Sequence, residues 1–150
     1  MVAKFNKEEN RYFNIKMIYT NSDGGSRGNP GPAAVGVIVR NEGTILSRYK
    51  EFIGKNCTNN EAEYEALINA LKLASKHTDK EITCVLDSEL VVKQLLGEYK
   101  VKNPRMREKF LQVQKLQENF EKIAYQHASR EDTFQQLADE LVNEELDRRG

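Results

Sequence analysis

Asp87 closes an apolar run, Ile82-Thr83-Cys84-Val85-Leu86, just before a helix-like stretch opens with Ser88-Glu89-Leu90-Val91-Val92. A carboxylate is thereby set where a buried strand ends, the place from which open α/β sheets present side chains to ligands. Three further acids fall at comparable seams: Asp23 after Met17-Ile18-Tyr19-Thr20, Glu63 near the start of a helix, and Asp139 within the last helix. Like charges at short range repel and raise one another's pKa, so a cluster of acids is costly unless a cation shares it. Oxygen-only ligands of this kind suit Mg²⁺ or Mn²⁺.

The elements that must position these acids follow from pattern. Residues 15–22 read as a strand, and residues 23–32, rich in Gly and Pro, as a turn. Strands 33–40 and 44–52 flank Asn41-Glu42-Gly43, a short hairpin loop. Thr58-Asn59-Asn60-Glu61 matches a capping box, Thr58 accepting from the third helical amide and Glu61 reaching back, which predicts a helix over residues 59–76. At about 100° per residue, Glu63 projects beside Ala66, Ala70 and Ala74 on an inward edge, while Glu65 points with Asn69 and Lys72 to solvent. Strand 82–87, helices 88–96 and 104–120, strand 122–127 and helix 131–147 complete the pattern. Helices separate the later strands, which implies parallel crossovers. The expected fold class is α/β: a mixed five-stranded sheet, three antiparallel strands plus two parallel ones, with helices on both faces.

The chain of 150 residues, 39% apolar and 31% charged, is long enough for one compact domain, read here as residues 15–150 behind a loose leader of residues 1–14. A formal charge of zero argues against indiscriminate polyelectrolyte binding, so any basic patch has to be local. Cys57 and Cys84 form neither a disulfide framework nor zinc spacing, and a reducing, cytoplasmic setting is expected. The leader lacks the hydrophobic segment of a signal peptide, and no run approaches the ~18 apolar residues of a membrane span. No membrane and no obligatory protein partner are expected, and the chain is read as a monomer.

Tyr19-Thr20-Asn21-Ser22-Asp23-Gly24-Gly25-Ser26-Arg27-Gly28-Asn29-Pro30-Gly31-Pro32, Thr58-Asn59-Asn60-Glu61-Ala62-Glu63, Asp87-Ser88 and Ala138-Asp139 resemble type 1 ribonuclease H. The likeness spans residues 15–147. It implies the ribonuclease H-like sheet and cleavage of the RNA strand of RNA/DNA hybrids with two Mg²⁺ ions, giving 5′-phosphate and 3′-hydroxyl ends. By the same resemblance Asp23 bridges both metals, Glu63 and Asp87 are further ligands, and Asp139 binds the metal that activates water. Backbone amides around Gly24, Gly25 and Ser26, with Asn29, Asn59 and Asn60, resemble the family's contacts to the hybrid's minor groove, where 2′-hydroxyls distinguish RNA from DNA. Thr58 and Asn103 resemble its phosphate pocket for the DNA strand.

Two departures qualify the likeness. Many relatives carry a longer basic helix-loop insertion in the region between helices 88–96 and 104–120, whereas this chain passes from Gly97 to Phe110 with only Lys100, Lys102, Arg105, Arg107 and Lys109. It reads as a short form, held by few cations. The family's Arg-Glu-x-Asn-x-x-Ala-Asp becomes Arg130-Glu131-Asp132-Thr133-Phe134-Gln135-Gln136-Leu137-Ala138-Asp139, two residues longer and without the Asn. Asp139 is preferred to Asp132 because it precedes Glu140-Leu141-Val142-Asn143 and flanks an apolar stripe. His127 reads as a partly buried residue bonded to backbone, and Arg130 as a surface residue. Two other functions stay open on sequence: a catalytically weak hybrid-binding module, and a metal nuclease of the same superfamily acting on DNA.

Overall fold

The structure is a computed structural model that describes residues 17–149. The leader, and the first two residues of the strand expected over 15–22, lie outside the described residues. Five strands, β1 (Ile18–Ser26), β2 (Gly31–Arg40), β3 (Ile45–Cys57), β4 (Glu81–Leu86) and β5 (Lys122–His127), form one sheet in the order β3-β2-β1-β4-β5. β1 pairs antiparallel with β2 and β2 with β3, while β4 runs parallel to both β1 and β5. Among the described residues four helices accompany the sheet: α1 (Asn59–Ala74), α2 (Glu89–Leu95), α3 (Pro104–Gln117) and α4 (Thr133–Arg149). The expected mixed α/β sheet is the observed one.

The core divides by face. On one side Ile18, Val37, Val39, Ile82, Cys84 and Leu86 from the sheet pack against Tyr64, Leu67, Leu71, Val91 and Val113 from α1, α2 and α3. On the other side α4 lays Val142 and Leu146 over Ala34 and Phe52. Among the described residues, no helix is long and apolar enough to cross a membrane.

Several boundaries differ from expectation, each for a local reason. β1 does not turn at Asp23: it continues to Ser26, with Asp23 paired opposite Gly36 and Gly25 opposite Ala34. Gly24 is there because another backbone must come close, and the reversal itself is confined to residues 27–30. β3 runs on past Phe52 to Cys57 through a register shift at Gly54, whose φ of 151° suits glycine. α1 ends at Ala74, α3 at Gln117, and α4 starts at Thr133 rather than Glu131. Asp132 accounts for the last shift, because its Oδ1 accepts from the amides of Phe134 and Gln135 at 3.0 and 3.1 Å and so caps α4.

Candidate active site

The parallel pairing of β1 with β4 ends at Ser22 opposite Leu86. Beyond that rung β1 continues and β4 stops, which leaves a notch with Asp23 on one side and Asp87 on the other. Glu63 enters from α1 and Asp139 from α4, so the other three expected acids all bear on Asp23 where the β1–β4 pairing ends.

Two glycines let the helices come near enough. A Cβ on Gly24 would lie 2.0 Å from the carbonyl oxygen of Ala62, so the backbones of β1 and α1 touch one residue before Glu63. A Cβ on Gly36 would lie 2.3 Å from the carbonyl oxygen of Ala138, one residue before Asp139. Gly36 is the rung partner of Asp23. Each helix is therefore seated on a glycine next to the acid it delivers. Gly36 escaped the sequence reading because an isolated glycine within Val35-Gly36-Val37 looks like any weak point in a strand.

Asp23 and Glu63 are buried, whereas Asp87 and Asp139 are exposed. Burial pushes the Asp23 carboxyl well above its ordinary range, and the charge of Glu63, hydrogen bonding with Glu63 and with Asp139, and the charge of Asp87 push it further. Glu63 is likewise raised, chiefly by burial, with partial relief from hydrogen bonds to Asp23 and to the Gly24 amide. That amide donates to Glu63 Oε1 at 3.3 Å, while Glu63 Oε2 is buried without any partner. A buried carboxylate oxygen facing other carboxylates is a group that asks for a cation. The donor set fits a hard divalent ion, although among the described residues no three acids already stand at ligation spacing. A polar cavity of about 210 Å³ lined by Asp87, Ser129, Arg130, Asp132, Gln135, Gln136 and Asp139 opens beside these acids.

The remaining site residues fall into two groups. Asn59 Oδ1 accepts from the Ser26 amide at 2.9 Å and from its hydroxyl at 3.1 Å, and Asn29 Oδ1 accepts from the Asn59 amide at 3.0 Å. Ser26, Asn29 and Asn59 thus brace the 27–30 loop against the start of α1, with Gly25 in the strand beside them and half-buried Asn60 on the next residue. Thr58 caps α1, accepting from the Glu61 amide at 3.2 Å. Asn103 caps α3, accepting from the amides of Arg105 and Met106.

Several expectations need correction. Glu61 does not close the capping box: its buried carboxylate pairs with Arg105 at 3.1 Å. Glu65 is not simply solvated but pairs with Lys109 at 2.6 Å, tying α1 to α3. Two cations of the basic stretch, Arg105 and Lys109, are thereby turned toward α1. His127 is exposed, with Nε2 3.0 Å from the carbonyl oxygen of Asp87. Ser88 caps α2, which frees Asp87 from that structural duty, in keeping with its expected place in the site. Asp132 is occupied as the α4 cap, and Gln135 stands four residues before Asp139, where the resembling motif has its Asn. Counting back from Asp139 rather than forward from Arg130 would have found it.

The chain matches the sequence profile of the family described as reverse transcriptase-like over residues 21–145. The N-terminal RNase H domain of a Mycobacterium tuberculosis protein is 40% identical, with a TM-score of 0.81 over 88% of this chain and 94% of that one. A crystal structure of RNase H1 from Halobacterium salinarum is 38% identical, with a TM-score of 0.81 over 88% of this chain and 98% of that one. LC11-RNase H1, solved in complex with an RNA/DNA hybrid, is 42% identical, with a TM-score of 0.78 over 89% and 97%. Among full-length relatives, the chain spans only 35% of the mycobacterial proteins and 64% of the Halobacterium ribonuclease HI, at 41% identity to each. Identity at this level, sustained over one shared sheet and over nearly the whole length of the solved domains, has one explanation: the chain belongs to the type 1 ribonuclease H family, as a short form without the basic insertion between α2 and α3.

Proposed function

We propose that this chain is an endonuclease that hydrolyses the RNA strand of RNA/DNA hybrids with two Mg²⁺ or Mn²⁺ ions, leaving 5′-phosphate and 3′-hydroxyl ends. The observation that carries the reading is the orphaned Oε2 of Glu63, buried beside Asp23 at the notch that Asp87 and Asp139 flank. A bound hybrid in one similar structure supports the substrate class.

Asp23, Glu63, Asp87 and Asp139 would hold the ions. Bound divalent cations supply a water of lowered pKa and charge neutralisation at a scissile phosphate. The chain's own contribution is preorganisation. Gly24 and Gly36 bring Glu63 and Asp139 against Asp23, the Gly24 amide orients Glu63, and burial denies the two inner carboxylates the water that would otherwise neutralise them. Around this centre, Gly24, Gly25, Ser26, Asn29, Asn59 and Asn60 form the surface assigned to the minor groove, and Thr58 and Asn103 that assigned to DNA phosphate. The last two also cap helices, so phosphate would meet helix N-termini, which favour anions. The reading includes a monomer acting in the cytoplasm, consistent with two free cysteines, one of them buried.

The deciding experiment incubates labelled hybrid, double-stranded RNA, double-stranded DNA and single-stranded RNA with the chain, with and without Mg²⁺. Cleavage confined to the RNA strand of the hybrid, and lost in chelator, is expected. Hybrid retained uncut would favour a binding module, cleavage of duplex DNA a different nuclease, and cutting in excess chelator would overturn metal dependence.

A further inference from the structure

One face of β1 and one face of α4 meet in a seam of three rungs. Asn21, Asp23 and Gly25 alternate onto the side of β1 that α4 covers, while Gln135, Asp139 and Val142 follow at i, i+4 and i+7 along α4. Asn21 Nδ2 donates to Gln135 Oε1 at 3.2 Å. Asp139 is the α4 acid that bears on Asp23 at the second rung. The Val142 Cγ1 methyl sits 3.6 Å from where a side chain on Gly25 would begin. From the first rung to the second the pitches agree, since two strand residues advance about 6.6 Å and four helical residues about 6.0 Å. Fixing the first rung therefore fixes the second.

That first rung is built as a lock. Asn21 and Gln135 are both buried. Gln135 Nε2 donates to the carbonyl oxygen of Ser22 at 2.8 Å, one residue before Asp23. Asn21 Oδ1 accepts from Arg40 Nε at 2.9 Å, and its amide nitrogen also reaches Oδ2 of Asp132, the α4 cap, at 3.3 Å. The Arg40 guanidinium lies over the rings of Tyr19 and Phe134, 4.6 and 4.2 Å from their centroids, so strand and helix grip it from both sides. Two neutral amides satisfy each other here without adding charge beside four carboxylates.

We propose that Asn21 and Gln135 are positioning residues that set the register of α4 on β1 and so hold the Asp139 carboxylate opposite Asp23. The catalytic consequence rests on the nuclease reading, whereas the register itself does not. Gln135→Met and Asn21→Leu keep bulk and remove the amides. In metal-free protein, amide hydrogen exchange should quicken at least about tenfold over residues 135–142 of α4 and stay unchanged in α1 and α3. Mg²⁺ affinity by calorimetry should fall roughly 10-fold in Gln135→Met, and fall no further when that change is made on an Asp139→Asn background. Turnover of hybrid should drop by a similar factor with KM within about twofold. Unchanged exchange in α4, a uniform rise across every helix, or an equal loss of Mg²⁺ affinity in both backgrounds would overturn the proposal. If the parental chain neither binds Mg²⁺ nor cuts hybrid, the nuclease reading falls, and the exchange pattern alone decides the register.

Discussion

Asp23 and Glu63 hold on to protons that exposed carboxyls surrender near pH 4, because burial disfavours ionisation of both and neighbouring charges add to it, those of Glu63 and Asp87 at Asp23 and those of Asp87 and Asp139 at Glu63. Their folded-state pKa values lie above the unfolded ones, with Glu63 pushed up to about 7. The sign of the linkage follows: the stability contributed by the protonated pair is present below about pH 4 and is lost as pH rises through neutrality. Metal-free protein should therefore lose on the order of 1–3 kcal/mol between pH 4.5 and 8 from this site. Thermal unfolding followed against pH would show it, and Mg²⁺ should flatten the decline. Asp23→Asn removes a carboxyl that folding must either keep protonated or ionise among other acids, so the metal-free chain should melt higher at pH 8 while hybrid cleavage falls by more than the roughly 10–100-fold typical of a residue that only supports a metal ligand. A parental rate in that variant, or a lower melting temperature at pH 8, would remove Asp23 from the site.

At the scale of the element, the site depends on how closely two helices lie on the sheet. Gly24→Ala would put a Cβ 2.0 Å from the carbonyl oxygen of Ala62, and backbone cannot yield as a side-chain tip can. Forcing α1 away should cost about 1–3 kcal/mol or more and withdraw Glu63, so activity should fall further than stability does; denaturant unfolding and initial rates on one preparation separate the two. The acids of α1 should rank by what they touch. Glu63→Gln should cripple cleavage. Glu65→Gln should only loosen α1 from α3 by roughly 1 kcal/mol or less, since Lys109 is its partner. Glu61→Gln should weaken the tie to Arg105 and leave turnover largely intact. Equal rate losses at positions 63 and 65 would mean that the two carboxylates do not differ in role.

At the scale of the whole molecule, a neutral chain has to hold a polyanion with few cations. Arg105 and Lys109 are engaged with Glu61 and Glu65, which leaves exposed Arg107 on α3 and, in the approach to that helix, exposed Lys100 and Lys102 as the contributors from that region. Each neutralised phosphate contributes about −0.9 to the slope of log affinity against log salt. Replacing both lysines by Gln should reduce that slope by roughly 2 and raise KM for hybrid far more than it lowers turnover. An unchanged slope would show that the duplex is held elsewhere, with exposed Arg27, paired to Asp147 at 2.6 Å, the next residue to neutralise.

Local pattern carried a great deal of this. Period-two apolar runs, the Thr58 cap and the Asn41-Glu42-Gly43 loop predict the strand and helix sequence by themselves, because each is a contest between short-range backbone preferences and burial on one face. The Asp23, Glu63, Asp87 and Asp139 boxes were legible for a related reason: each is a short motif that its own neighbours in sequence define. What tertiary structure alone decided are the contacts between elements far apart in sequence. Glu61 turned from its capping box to Arg105, and Gly36 and Gln135 acquired their roles, only when α4 settled on β1 and β2. Asp23 joined the middle of a strand rather than its end because β2 offered partners as far as Ala33 while β4 stopped at Leu86. Sequence specifies which face a residue presents, but which group meets it there depends on how the faces pack.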